Sequence, residues 1–250
     1  MGIEEESGSR LKSFRKVLTA LASILLIIGL LVVSIETFAL NPDFFKSEYA
    51  KLNTASDIGI TESDLSKVTQ TLLGYTAGRV ETLDMQAEIQ GEMQEVFGER
   101  EKEHMVDVQA LYLGARDLRT WSLIIAAVLL LLAFLIGRAK TLKSLCKSFL
   151  WVSAGFLIVI GAIGVYAAID FTNFWISFHH IFFAGNDLWI LDPRTDVLIQ
   201  MVPEQFFSDL VARIIIRFVS IFLTLNIAAA AGLYILNRKQ RKTKAGTKEA

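Results

Sequence analysis

The chain has 250 residues, 53% of them hydrophobic, with a formal net charge of −1, three histidines and a single cysteine. Its mean hydropathy of +0.46 is too apolar for an ordinary soluble domain, because so much apolar surface must face something other than water. One cysteine excludes a disulfide framework, and no nucleotide or nucleic-acid motif is present, so neither of those partners is expected.

In chain order, four apolar stretches at 17–40, 118–137, 149–169 and 210–236 reach the roughly 20 residues that a hydrocarbon core of about 30 Å requires. They predict an all-α integral membrane protein, a single membrane domain of four transmembrane helices. The first stretch follows basic residues, and Thr37-Phe38-Ala39 loosely resembles a signal-peptide cleavage site. An apolar run of about 24 residues is nevertheless too long for a signal peptide, so it reads as an uncleaved anchor.

The segment 41–117 reads as helical. Thr61 with Asp64 three residues on is a cap-like start, and Leu65, Val68 and Leu72 then recur at helical spacing. Gly74 and Gly78 are placed to end or bend that helix. From about Gln86 the chain is rich in Glu, Gln and Met, which predicts a polar helix running through His104 into the second span, with Val108, Leu111 and Ala115 as its buried stripe. A short middle loop holding Cys146 separates the second and third spans.

The segment 170–209 is dense in aromatic residues, which concentrate where lipid meets water, so it reads as an interfacial loop. Phe171, Phe174, Phe178 and Phe182 fall at helical spacing, with Asn173, Ser177 and His180 as a separate polar stripe. This predicts a third helix continuing past the membrane surface. Leu191-Asp192-Pro193 breaks regular structure, and Pro203 is placed to open the fourth helix.

Charge sets the expected orientation, since Lys and Arg resist translocation. Arg10, Lys12, Arg15 and Lys16 precede the first span, and Arg138, Lys140, Lys143 and Lys147 separate the second from the third. Arg238, Lys239, Arg241, Lys242, Lys244 and Lys248 follow the fourth. Both termini and the middle loop are therefore expected in the cytoplasm, together with Cys146. The segment 41–117 carries fifteen acids against seven bases, which suits the extracytoplasmic side. The protein is thus expected in the cell membrane as a multi-pass protein.

All three histidines, His104, His179 and His180, fall outside by this reading, near the membrane ends of the second and third helices. A proton-transfer group there could reach a lipid headgroup ester or the polypeptide attached to it. The bland alternative for each is a solvated or structural imidazole. Arg213 and Arg217 share a face of the fourth helix. If that helix opens near Leu210, Arg217 lies about 10 Å along it, deep enough to need a polar cavity or a partner such as Glu36 or Asp170. The alternative is that both arginines snorkel to headgroups. A metal on a histidine with Asp107 or Asp187 finds no support in a HExxH pair or a cysteine cluster, so none is expected.

Phe178-His179-His180-Ile181-Phe182-Phe183, followed by Asn186-Asp187-Leu188-Trp189, Leu191-Asp192-Pro193, Asp196 and Pro203-Glu204, resembles the lipoprotein intramolecular transacylases, four-span membrane proteins of Gram-positive bacteria. His104-Met105-Val106-Asp107-Val108 resembles that family's second signature. The resemblance implies an acyltransferase whose active site faces the extracytoplasmic side. It would move the sn-2 acyl chain of a diacylglyceryl-cysteine lipoprotein to the α-amino group of the same N-terminal cysteine, giving an N-acylated lyso-form lipoprotein. Its partners would be diacylglyceryl-modified lipoproteins and membrane lipid. Ester-to-amide transfer is downhill, so no cofactor is required.

On this reading His179 is the general acid and base, although the adjacent doublet leaves open whether His179 or His180 points inward, and His104 orients the base or steadies the developing oxyanion. Asp107 would hold His104 in one tautomer, and Arg213 or Arg217 would bind a carbonyl or the oxyanion. His180, Asn186, Trp189 and Asp192 are supporting or substrate-binding candidates, with Phe182, Phe183 and Trp189 as lipid-facing or acyl-chain walls. Cys146, facing the cytoplasm, is excluded as a nucleophile. The alternative from another class is a non-enzymatic membrane sensor or assembly factor that binds a partner through its acidic outer segment.

Overall fold

The computed structural model describes residues 2–246, and the side chains at 2–5, 7, 139 and 242–246 lie outside that description. Of the C-terminal basic run, Lys248 and the side chains of Lys242 and Lys244 therefore lie outside the described residues. The elements are α1 (Gly2–Ala39), α2 (Pro42–Leu52), α3 (Thr54–Ile58), α4 (Glu62–Thr76), β1 (Gln86–Ile89), β2 (Glu92–Glu95), α5 (Glu99–Gly137), α6 (Ala139–Ile169), α7 (Phe171–Phe182), α8 (Val197–Met201) and α9 (Glu204–Gly246). Among the described residues four helices, at Gly8–Ala39, Glu99–Gly137, Lys140–Ile169 and Glu204–Arg241, are long and apolar enough to cross a membrane. Each carries one of the four apolar stretches, apart from Leu40 at the end of the first.

The described residues fall into two compact units. One holds residues up to 33, 118–163 and 216 onward, and the other holds 34–117 and 164–215. In the first, Ile27, Phe149, Phe218 and Phe222 make the core, and Thr19 Oγ1 meets Ser144 Oγ at 3.0 Å and Ser148 Oγ at 2.9 Å. Leu131, Ile158 and Ile227 point outward and exposed, as lipid-facing side chains do. In the second unit, α2, α4, the hairpin, α8 and the starts of α5 and α9 enclose a larger core around Phe44, Phe45, Val68, Phe97, Met201 and Phe206.

Local signals explain most boundaries. Thr61 accepts from the Asp64 N–H to cap α4, and Leu65, Val68 and Leu72 are buried as expected. Gly78 follows that helix at φ +70, a conformation only glycine adopts freely. Pro203 stands just ahead of α9. That helix starts at Glu204 rather than near Leu210, because proline at its head needs no N–H partner and Glu204 favours the positive helix end.

Four expectations are corrected. The polar helix from Gln86 is an antiparallel hairpin, with Gln86 opposite Glu95 and Ile89 opposite Glu92. Gln90 and Gly91 take φ 54 and 85, the signature of a tight two-residue turn that suits paired strands. Ala87 and Ile89 point into the core while Gln86 and Glu88 are exposed, so the period is two. The described residues are therefore mostly helical with one small sheet. The third helix does not run on: α6 stops at Ile169, and the Asp170 carboxylate accepts the Asn173 N–H at 3.0 Å to start α7 afresh. The middle loop is nearly absent, because no Gly or Pro interrupts 138–154 and Arg138 alone makes the corner at φ 41. Cys146 is consequently a buried residue of α6.

Candidate active site

The site is built where α5 begins. Gly98 precedes the helix, and Glu101 reaches back to accept the Gly98 N–H at 2.6 Å, half of a capping box. The other Glu101 oxygen accepts the Leu198 N–H at 2.6 Å. This fully buried carboxylate thus ties α8 to the start of α5. Arg100, His104 and Asp107 follow at the spacing that places them on one face.

His179 comes from the last turn of α7, and its ring centroid lies 6.2 Å from that of His104. The two imidazoles are 8% and 7% exposed respectively. Phe183 packs against both, 5.1 Å from His104 and 5.5 Å from His179. Trp175 meets His179 edge-on at 4.9 Å, and Trp189 stacks on it at 4.7 Å and 28°. His180 is exposed and touches the Trp189 edge at 5.4 Å. Of the adjacent pair, His179 is thus the imidazole turned toward His104.

His179 Nδ1 lies 2.8 Å from the Trp175 carbonyl oxygen. A carbonyl only accepts, so Nδ1 carries the proton and Nε2 keeps a free lone pair. Burial holds His179 below the ordinary imidazole value, the Trp175 carbonyl opposes that shift, and nearby His180 adds to it. His104 Nδ1 is buried with no hydrogen-bond partner among the described residues. The pair therefore offers one defined base and one unpaired buried nitrogen, in an aromatic enclosure.

The remaining candidates divide. Asp107 Oδ2 accepts the Asn186 side-chain N–H at 2.8 Å, so its hydrogen bond goes to the loop after α7. Asp187 pairs with Arg100. Asp192 accepts from the Arg194 backbone and guanidinium, which holds its carboxyl down at about 2; it shapes a turn. Arg213 lies 3.9 Å from the buried Glu48 and over the Phe44 ring, so its partner is Glu48. Asp170 spends its oxygens on Asn173. Arg217 belongs to the other compact unit, where its Nε is buried with no hydrogen-bond partner among the described residues. Phe183 is buried against the imidazoles while Phe182 is exposed.

Arg100, Glu101 and the Trp175 carbonyl were not singled out from sequence. Gly98 with Glu101 three residues on was a legible half-cap, whereas nothing local marks Arg100. No group of three or more His, Cys, Asp or Glu among the described residues is arranged to hold a metal. A cavity of about 410 Å³ opens between α2, α3 and α4, lined by polar residues including Lys46, Tyr49, Glu62 and Thr69; none of the three histidines lines it.

The family model for the lipoprotein intramolecular transacylase Lit matches residues 20–207. The chain belongs to that family. The crystallised lipoprotein intramolecular transacylase of Bacillus cereus, a membrane-integral protein, superposes with a TM-score of 0.71 at 19% identity, covering 92% of this chain and 99% of that one. A variant of the same transacylase with one histidine replaced by arginine gives 0.70 at 18% identity, covering 97% and 100%. At such identity these likenesses are of fold. No curated protein sequence matches.

Proposed function

We propose that this member of the Lit family is itself an intramolecular transacylase of diacylglyceryl-modified lipoproteins, with His179 as general base and acid and His104 as its partner. The observation that carries this reading is the buried imidazole pair 6.2 Å apart, with the His179 tautomer set by the Trp175 carbonyl. Donor ester and acceptor amine sit on one substrate molecule, so holding them in register supplies much of the rate, up to about 7–11 kcal/mol in well-oriented intramolecular reactions.

The N-terminal amine, with an ordinary pKa of about 8, is partly neutral at physiological pH and attacks the sn-2 ester carbonyl carbon. As the C–N bond forms, His179 Nε2 takes the proton from nitrogen. As the ester C–O bond breaks, the same imidazolium returns that proton to the departing glycerol oxygen. The products are an amide and a free sn-2 hydroxyl, and the enzyme ends in its starting protonation state. A neutral His104 in a dry enclosure can donate to the carbonyl oxygen as negative charge develops there, where such a bond counts for more than in water. The basic tails and the acidic segment 41–117 support an arrangement with this chemistry at the outer leaflet.

The test is expression in a bacterium that makes only diacylglyceryl lipoproteins, with mass spectrometry of a lipoprotein's N-terminal peptide. Transfer leaves the total mass unchanged and moves one acyl chain from glycerol to nitrogen. His179→Ala is expected to lower turnover at least about a hundredfold at unchanged protein abundance. Both chains remaining on glycerol, with folded protein present, rejects the assignment.

A further inference from the structure

Arg100 lies one turn ahead of His104 on α5. Its Nε donates to the Ile190 carbonyl at 3.1 Å, its Nη2 donates to the Asp187 carbonyl, and the same guanidinium meets the Asp187 carboxylate at 3.1 Å. Two turns further along that face, Asp107 accepts from Asn186 at 2.8 Å, and Asn186 Oδ1 accepts the Leu188 N–H at 3.2 Å. One face of α5 thus grips segment 186–190 at both ends. Between the grips stands Trp189, stacked on His179. Gly185, at φ +104, makes the corner by which the chain leaves α7 for this segment, a conformation that side-chain-bearing residues rarely adopt.

The ion pair itself is half exposed and contributes little. The two main-chain carbonyls matter more, because they fix the position of a segment that has no helix or strand of its own. Resting on the transacylase reading, we infer that Arg100 is a positioning residue: it pins segment 186–190 so that Trp189 shuts water away from His179. In doing so it commits the acyl group to the amine. The competing reaction is hydrolysis. Water attacks the same ester carbonyl, gives one proton to His179, and the ester C–O bond breaks as the glycerol oxygen takes that proton. A free fatty acid leaves and the amine stays unacylated.

Full-length protein in phospholipid vesicles, given a synthetic diacylglyceryl lipopeptide, is assayed by mass spectrometry for N-acyl lyso-lipopeptide and released fatty acid together. Wild type is expected to make the amide with little free acid, and Arg100→Ala to raise the ratio of acid to amide about tenfold. Trp189→Ala, which leaves the Arg100 bonds in place, is expected to do the same and decides the matter alone if Arg100→Ala fails to accumulate. An unchanged ratio, or equal loss of both products, overturns the inference while the transacylase reading stands. A wild type that makes no amide overturns both.

Discussion

At the scale of the residue, the chemistry turns on which nitrogen of His179 is free. Because Nδ1 is committed to the Trp175 carbonyl, only Nε2 can take a proton, and protonating it removes the base. Burial keeps His179 below the ordinary imidazole value, so the base stays neutral as pH falls through mild acidity and is lost only below that range. The substrate amine must also be neutral, with a pKa of about 8. The rate should therefore fall with one proton below about pH 8, and with a second only below about pH 6.5. A rate-versus-pH series on the lipopeptide checks this, and a second-proton bend above that point would reject His179 as the base. The adjacent doublet shows where sequence stops: one histidine is buried and its neighbour exposed, because helix periodicity turns them about 100° apart. Only the packing of α7 decides which one faces inward. Asp107 marks the same limit, since the hydrogen-bond partner of its Oδ2 lies 79 residues away.

At the scale of the element, caps and turns were legible where the signal is local. Thr61, Pro203 and the 191–193 break each act within a few residues. The hairpin was missed because its Glu- and Gln-rich strands have high helix propensity, and a tight turn with core burial of Ala87 and Ile89 overrode it. Core packing offers a measurable consequence. Phe206 is fully buried, with ring centroids 4.8 Å from Phe45 and 5.4 Å from Phe44. Phe206→Ala should cost about 3–5 kcal/mol, read by chemical denaturation of the purified protein. A loss below about 1 kcal/mol would mean that this core is loosely packed.

At the scale of the whole molecule, orientation gives a separate prediction. Met93 is 68% exposed on the hairpin, and Cys146, the single cysteine, is buried in α6. Met93→Cys in a Cys146→Ala background should be labelled by a membrane-impermeant thiol reagent on intact cells, with transfer activity retained. Labelling only after lysis would reverse the assigned sidedness, and lost activity with Cys146→Ala alone would point to a thioacyl intermediate. The four apolar spans were determined by the sequence itself, because hydropathy is a sum over neighbours along the chain and needs no partner. The inventory of three imidazoles, placed beside the second and third spans, was likewise visible there. Only the tertiary structure decided that His104 and His179 meet, that Phe183 packs against both while Trp189 stacks on His179, and that Arg100 grips the loop after α7. Those contacts join residues distant in sequence, and their free energy comes from desolvation and packing that no local pattern encodes.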